Sequence, residues 1–260
     1  MSRKIVAIGG GENGRTKRDG TVLPYETDRI DKEIINLTEK THPHFLFLGH
    51  SQQTEENEER YFNVMKKIYG SMYGCECKTI TKNDLNVNYE NAKSLIDWAD
   101  IIYEGGGDTV SMLKLWFVTG FDVLLRKAWE NGKVMCGVSA GAICWFAYGN
   151  TGHPDYIGQE VNKLDALGFV NAYFAPHCHY DWRYESIKRS LKHIDMIGIS
   201  LSNCCAIEII DNSYRLITTD ASNYGFKAYG LKTYWKDGTY KEEKINDTPE
   251  FKPLDKLLTK

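Results

Sequence analysis

Residues 133–146 read Lys133-Val134-Met135-Cys136-Gly137-Val138-Ser139-Ala140-Gly141-Ala142-Ile143-Cys144-Trp145-Phe146. An apolar run ends in Gly-x-Ser-x-Gly and a second mostly apolar run follows, which is the pattern of a nucleophile elbow between a strand and a helix. The serine of such a turn has a strained backbone, and its small neighbours let the strand and the helix pack closely. The pattern predicts that the Ser139 hydroxyl projects from the carboxyl end of a strand. The Ala140 N–H is then placed at a helix N-terminus, where it can stabilise an oxyanion.

A second strand-end loop is predicted at residues 101–109, which read Ile101-Ile102-Tyr103-Glu104-Gly105-Gly106-Gly107-Asp108-Thr109. Three consecutive glycines allow backbone N–H groups to converge on a ligand oxygen without obstruction by side chains. An ordinary turn with Asp108 or Thr109 as the helix cap is the alternative. We favour an oxyanion or ligand loop, because a cap alone does not require three glycines.

Short apolar strands alternate with helices along much of the chain. Apolar runs at Lys4–Ile8 and His44–His50 are separated by a helix with one apolar face at Asp28–Glu39, and the alternation continues beyond them. It predicts the α/β class, with a mostly parallel sheet covered on both faces. The ligand crevice of such a sheet lies at the carboxyl ends of its strands, so both loops point to one site. We expect Tyr148–Asp165 to form an active-site loop or lid, and Lys241–Lys260 to be a charged tail that is ordered only in part.

Length, charge and cysteine content restrict the class of protein. A chain of 260 residues can form one domain over 1–260, and a net charge of −3 gives no steering toward nucleic acid or an anionic membrane. No apolar stretch approaches the roughly 20 residues that span a bilayer. The odd number of scattered cysteines, seven, indicates reduced thiols, so we expect a cytoplasmic protein.

The sequence also argues against a metal or a nucleotide. Cys75-Glu76-Cys77 and Cys204-Cys205 have no partner pair at zinc spacing, so we expect no metal site. Gly9-Gly10-Gly11 follows the first strand but lacks the glycine spacing of a dinucleotide fingerprint. We therefore expect no cofactor.

A nucleophilic serine needs a base. The strand end Ala175-Pro176-His177-Cys178-His179 carries two histidines, and either can serve.

These motifs together resemble a known family. The chain contains, in order, Gly105-Gly106-Gly107-Asp108-Thr109, Gly137-Val138-Ser139-Ala140-Gly141-Ala142 and Pro176-His177. This order is similar to peptidase E, the aspartyl dipeptidases of the S51 serine peptidases, to which cyanophycinase is related. The resemblance runs from the first strand to about Tyr214. It implies a class I glutamine-amidotransferase-like fold, which is a flavodoxin-like three-layer α/β sandwich. It implies Ser139 as the nucleophile, His177 as the base, and Gly106 or Gly107 with Ala140 as the oxyanion hole.

The third member of the triad departs from the family pattern. Relatives usually have an acidic residue after the strand that begins at Gly198, where this chain has Asn203. An Asn can orient a histidine through its amide oxygen, although it supplies no full charge to an imidazolium. Glu208 and Asp155 are alternatives, and a His-Tyr-Asp string found in some relatives would select His179 as the base.

The sequence therefore predicts a serine peptidase for a small peptide, with a dipeptidase that prefers an acidic N-terminal residue as the first expectation. Arg183, Arg189 and Lys227 are candidate cations for the substrate carboxylate. An esterase or a cyanophycinase-like isopeptidase is one alternative, and a weakly active ligand-binding homologue is the other. A homodimer is one expectation for the number of subunits.

Overall fold

The computed structural model describes residues 1–17, 19–151 and 161–260. The strands in these ranges are β1 (Lys4–Ile8), β2 (His44–Leu48), β3 (Glu76–Ile80), β4 (Ile101–Glu104), β5 (Val134–Val138), β6 (Phe146–Thr151), β7 (Val161–Asp165), β8 (Val170–Ala175), β9 (Gly198–Leu201), β10 (Cys205–Ile210), β11 (Ser213–Thr218), β12 (Gly230–Lys236), β13 (Thr239–Ile245) and β14 (Lys252–Pro253). The α-helices are α1 (Asp28–Asn36), α2 (Glu55–Met65), α3 (Lys82–Val87), α4 (Tyr89–Trp98), α5 (Thr109–Thr119), α6 (Phe121–Glu130), α7 (Ala140–Ile143), α8 (Asp181–Leu191) and α9 (Leu254–Leu258). A π-helix, Lys66–Met72, continues α2, and a 3₁₀ turn, Ser222–Tyr224, precedes β12.

The described strands form two sheets. The larger sheet has the order β14-β11-β10-β1-β5-β4-β2-β3, and the smaller has the order β13-β12-β9-β8-β6-β7. Strands β1, β5, β4, β2 and β3 are parallel to one another, whereas the β1–β10, β10–β11 and β11–β14 pairs are antiparallel. In the smaller sheet only the β6–β8 and β8–β9 pairs are parallel. The predicted α/β class is confirmed, but both sheets are mixed, so the mostly parallel sheet is found only in the five-stranded part.

Alternate residues of the parallel strands enter two cores. In β1, Ile5 and Ala7 pack into the core that contains α4, α5, α6 and the inner face of the smaller sheet. Val6 and Ile8 pack on the opposite face with α1, α2 and the π-helix. Successive side chains of a strand point to opposite faces, so short runs with no polar residue are the sequence signal of strands buried on both sides. Helix α8 covers the outer face of the smaller sheet through Ile187 and Leu191.

Two segments differ from the sequence expectations. The predicted loop Tyr148–Asp165 contributes β6 and β7 to the smaller sheet, and its residues 152–160 lie outside the described residues. The expected tail is ordered as the end of β13, β14 and α9, with Leu257 only 3% exposed. Strand β13 reads Thr-Tyr-Lys-Glu-Glu-Lys-Ile and forms a sheet edge. Charged side chains are common on edge strands because they discourage further strand pairing, and they conceal the strand from a hydrophobic pattern.

No helix in the described ranges combines the length and the apolar composition that crossing a membrane requires.

Candidate active site

Ser139 lies on the turn between β5 and α7. Its backbone has φ 56° and ψ −111°, a conformation that costs free energy for any residue other than glycine. The Ser139 N–H donates to the Ile8 carbonyl at 3.0 Å, which fixes the turn to the carboxyl end of β1. Ala140 is the first residue of α7, so the helix provides no acceptor for its N–H. The hydroxyl and this N–H therefore both lie at the carboxyl end of β5, a central strand of the larger sheet.

The two glycines of the elbow are required by close packing. A Cβ at Gly137 would lie 2.4 Å from the Gly141 carbonyl oxygen, and a Cβ at Gly141 would lie 2.1 Å from the Glu104 carbonyl oxygen. These distances are far below van der Waals contact, so no larger residue fits without a backbone shift. The glycine spacing of the motif is therefore required by the close packing of β5, α7 and β4.

The triple-glycine loop follows β4, which pairs with β5. A Cβ at Gly105 would meet the Tyr61 ring at 2.6 Å, and one at Gly107 would meet the Ser51 carbonyl oxygen at 2.3 Å. Gly106 faces Ser139, because a Cβ added at Gly106 would lie 3.4 Å from the Ser139 Cβ. Asp108 caps α5 by accepting from the backbone of Val110 at 2.9 Å, so the loop is a helix start as well as a neighbour of the nucleophile.

Two residues after β2 hold this loop, and the sequence patterns do not indicate them. The Ser51 hydroxyl donates to the Gly105 carbonyl at 3.1 Å, and the Gln52 side-chain amide donates to the Gly106 carbonyl. Both contacts join residues more than 50 positions apart, so they depend on the parallel pairing of β2 with β4.

The turn after β8 brings His177 to Ser139. Its Nε2 lies 2.9 Å from the Ser139 Oγ, and its Nδ1 lies 2.6 Å from the Asn203 Oδ1. His177 has φ 56°, and its N–H donates to the Gly9 carbonyl at 3.0 Å. Asn203 stands just before β10, whose first residues pair with the carboxyl end of β1. Ser139, His177 and Asn203 therefore form a continuous hydrogen-bonded chain.

Burial lowers the pKa of His177 to about 4; the hydrogen bond to Asn203 acts in the opposite direction, and the nearby Arg183 and His179 lower the pKa further. The imidazole is neutral at neutral pH. An Asn oxygen is an acceptor, so Nδ1 carries the ring proton and Nε2 presents a lone pair to the Ser139 hydroxyl. This arrangement suits proton transfer from Ser139 to His177.

The first glycine loop covers the His177–Asn203 pair. A Cβ at Gly10 would lie 2.1 Å from the Asn203 Oδ1 and 2.5 Å from the His177 Cε1. The Gly10 carbonyl also accepts from the Cys204 N–H at 2.9 Å. Gly9-Gly10-Gly11 lacks a fingerprint spacing because its role is to let the backbone approach an imidazole and an amide. Three consecutive glycines at a strand end were the only sequence signal for it.

The remaining candidates lie elsewhere. Glu208 is fully buried in the middle of β10, where its carboxylate accepts from the Arg215 Nε at 2.6 Å. Both ring nitrogens of His177 are already engaged, so the structure does not bring Glu208 to the base. The His179 Nδ1 accepts from the Asn203 N–H at 3.4 Å, and its ring packs against Tyr180 with 4.0 Å between centroids. Asp155 lies outside the described residues.

A cleft of about 600 Å³ opens beside Ser139 and His177. Among the described residues, its lining includes the cations Arg15, Lys17 and Arg60 and one carboxylate, Glu12. Arg15 pairs with Glu12 at 2.8 Å, so the lining carries a positive excess. The cations proposed from sequence do not line it: Arg183 is buried and donates to the Asn150 carbonyl at 3.0 Å, and Arg189 and Lys227 are exposed elsewhere.

Within the described parts of the chain, no three His, Cys, Asp or Glu side chains are grouped so that they could hold a metal ion. Cys136 and Cys144 flank the elbow as buried thiols, and burial raises the pKa of both well above the usual value. Neither is poised as a nucleophile, because the thiolate is the reactive form.

The sequence matches the family model of peptidase family S51 over residues 20–217. The uncharacterized peptidase YgaJ of Bacillus subtilis (strain 168) is 30% identical over 234 residues, which are 87% of this chain and 91% of that protein.

Two solved structures share the fold. A peptidase from an acI-B1 Actinobacterium has a TM-score of 0.71 at 17% identity and covers 96% of both chains. A putative peptidase E protein from Listeria monocytogenes EGD-e has a TM-score of 0.58 at 14% identity and covers 85% of this chain and 100% of that chain. The family resemblance seen in the motifs is thereby confirmed: this chain belongs to peptidase family S51 and is a peptidase.

Proposed function

We propose that this chain is a serine peptidase that hydrolyses small peptides, with Ser139 as nucleophile and His177 as base. One observation carries the proposal: the Ser139 Oγ, the two ring nitrogens of His177 and the Asn203 Oδ1 are joined by contacts of 2.9 and 2.6 Å. Nucleophile, base and orienting group are thus within the reach that covalent catalysis needs.

The reaction follows from this geometry. Neutral His177 takes the Ser139 proton as the oxygen attacks the scissile carbonyl carbon. The N–H groups of Ala140 and of Gly106 or Gly107 stabilise the oxyanion of the tetrahedral intermediate. The imidazolium then gives its proton to the leaving amine, and an acyl-enzyme ester remains. Water, deprotonated by His177, hydrolyses this ester and restores Ser139.

For the substrate, we propose a dipeptide with an acidic N-terminal residue. Arg15, Lys17 and Arg60 support this choice because they line the cleft beside the nucleophile. The Arg60 Nη1 is 3.9 Å from Glu56, a loose contact that leaves the guanidinium able to turn toward a substrate carboxylate.

A substrate panel tests this preference. Amino-acid release is measured from Asp-Xaa, Glu-Xaa and Ala-Xaa dipeptides with the parent, Arg60→Gln, Lys17→Gln and the control Arg29→Gln. Arg29 pairs with Asp247 on the surface and does not line the cleft. We expect KM for Asp-Xaa to rise about tenfold in the cleft variants, the loss of one charge-assisted contact, and to stay constant in the control. Equal parent rates on all three dipeptides would refute the acidic preference.

A second candidate is a weakly active ligand-binding homologue, which Asn203 favours because, among the described residues, an amide rather than a carboxylate contacts the His177 Nδ1. Labelling with a fluorophosphonate, read by intact mass, separates the two. A peptidase is labelled, and Ser139→Ala and His177→Ala lose the label. An unlabelled parent that still binds acidic dipeptides supports the binding role. Labelling together with turnover of aryl esters, but not of dipeptides, indicates an esterase or a cyanophycinase-like isopeptidase.

We further propose that residues 1–260 act as one domain of flavodoxin-like, class I glutamine-amidotransferase-like arrangement, in the cytoplasm. The five parallel strands of the larger sheet support that arrangement. Sedimentation of the purified chain tests the expected homodimer.

A further inference from the structure

One acidic side chain lines the catalytic cleft. Among the lining residues that the structure describes, Glu12 is the only Asp or Glu, and it follows Gly10 and Gly11 of the first glycine loop. Gly10 lies against the base, because a Cβ added there would be 2.5 Å from the His177 Cε1. Two residues of extended chain span at most about 7 Å, so the Glu12 Cα lies within that distance of the Gly10 Cα. Glu12 is therefore a neighbour of the reacting groups.

The backbone of Glu12 is fixed on both sides. Its N–H donates to the Glu26 Oε2 at 2.7 Å, and its carbonyl accepts from the Glu26 N–H at 2.8 Å. The next residue, Asn13, pairs with Tyr25 as an antiparallel bridge. The two short segments therefore form a ribbon, which holds the Glu12 side chain at one place on the cleft wall.

Arg15 holds the Glu12 carboxylate in a two-point ion pair. Its Nε donates to the Glu12 Oε2 at 2.8 Å, and its Nη2 donates to the Glu12 Oε1 at 3.1 Å. A guanidinium has five N–H donors and an ionised carboxylate has about four acceptor positions, so each group keeps unused capacity after these two bonds. The side chains of Arg15 and Glu12 are 53% and 30% exposed, so both can take a second partner from the cleft.

The adjacent opposite charges match one end of a peptide. An N-terminal residue carries its ammonium on the α-carbon next to the first peptide carbonyl, and an acidic side chain places a carboxylate a few bonds away. The ammonium only donates and suits Glu12, whereas the carboxylate only accepts and suits Arg15. Lys17 and Arg60, the other described cations of the cleft, have no acceptor for an ammonium. An internal or N-blocked residue has an uncharged amide at this place and gains no ionic contact with Glu12.

We propose that Glu12 is a specificity-determining residue, which accepts from the free N-terminal ammonium of the substrate while Arg15 contacts the side-chain carboxylate of the same substrate residue. The substrates are then peptides with an unblocked N-terminus that are cleaved after their first residue, because an ammonium held by Glu12 brings the first peptide carbonyl to Ser139. The cleavage rests on the proposed peptidase function, whereas recognition of the ammonium can be measured without turnover.

A pair of ligands isolates the ammonium. Asp-Xaa and succinyl-Xaa have the same carboxylates and the same amide, and they differ only in the α-ammonium. The value of kcat/KM is measured on both with the parent, with Glu12→Gln, which keeps the shape and an acceptor for Arg15, and with the control Glu76→Gln. Glu76 pairs with Lys78 at 3.2 Å on the surface and does not line the cleft.

The parent should prefer Asp-Xaa to succinyl-Xaa by about 10- to 100-fold in kcat/KM, the range expected for one charge-assisted hydrogen bond. Glu12→Gln should reduce this ratio to below about threefold, and Glu76→Gln should leave it unchanged. The ratio of two substrates on one sample does not depend on the fraction of folded protein, so a merely structural role of Glu12 would not move it. Equal values for the two substrates in the parent, or a ratio that Glu12→Gln leaves unchanged, overturn the role of Glu12.

Binding to the Ser139→Ala variant, measured by calorimetry with and without Glu12→Gln, separates this proposal from the peptidase mechanism. If the parent hydrolyses neither peptide, a tighter binding of Asp-Xaa that is lost with Glu12→Gln supports the recognition and refutes the peptidase. Equal Kd values for the two ligands overturn the recognition. If Glu12→Gln does not fold, Glu12→Asp decides, because withdrawal of the charge by one methylene should lower the ratio at least about threefold without abolishing it, and an unchanged ratio overturns the proposal.

Discussion

Asn203→Asp should raise the pKa of His177 by about two units. The new carboxylate would stand where the amide oxygen lies now, 2.6 Å from the His177 Nδ1. Two unit charges about 4 Å apart attract by about 4 kcal/mol at an effective dielectric constant of about 20, equivalent to about 3 pKa units. Asn203 is 5% exposed, so desolvation of the new charge removes part of this gain. The pKa should move from about 4 to about 6.

The shift is measured by titrating the His177 ring protons by NMR and, separately, from the acid limb of the kcat/KM profile. Both should move upward together, because protonated His177 cannot act as a base. A His177 that still titrates near pH 4 in Asn203→Asp would refute the reasoning.

Three further results are expected. Gly10→Ala should lower kcat at least 100-fold, because its Cβ would overlap the His177–Asn203 pair. The control Gly20→Ala lies at a positive φ with open space around it, so it should cost only about 1 kcal/mol of stability. Equal activities of the two variants would contradict the packing argument. Glu208→Gln should lower the free energy of unfolding by about 3 kcal/mol in urea melts while kcat of the folded protein stays constant, and a selective loss of kcat would return Glu208 to the site. Burial lowers the pKa values of His50 and His177 to about 4, below the unfolded value of 6.5, so the unfolded chain binds protons first as the pH falls. The free energy of unfolding should therefore decrease between pH 6.5 and pH 4, by up to about 1.4 kcal/mol per pH unit for each histidine. His177→Gln should reduce this slope, and an unchanged slope would contradict the assignment.

The elbow could be predicted from sequence because its constraints are local. Gly137 and Gly141 meet backbone atoms of their own turn and of the neighbouring strand, so the spacing alone records the geometry. The Pro176-His177 dipeptide was identifiable for a similar reason, since it follows an apolar strand. In each case a short stretch contains both the strand and the residue that the strand presents.

The rest of the site depends on contacts between distant segments. Gly10 is required by Asn203, and Ser51 contacts Gly105 across 54 positions. A single sequence has no signal for such pairs. Strands β6 and β13 of the smaller sheet were missed because they are rich in polar or charged residues, which resemble a loop and a tail. Tertiary pairing, rather than local preference, makes them strands.

The nucleophile and its base come from different sheets. Ser139 follows β5 of the larger sheet, and His177 follows β8 of the smaller one. The two sheets are joined beside the site by the hydrogen bond from the His177 N–H, after β8, to the Gly9 carbonyl, after β1. Catalytic activity therefore depends on the relative position of the two sheets. A displacement of about 1 Å between the two sheets would abolish turnover without changing the far-UV circular dichroism spectrum. On heating, activity should therefore be lost at a lower temperature than secondary structure.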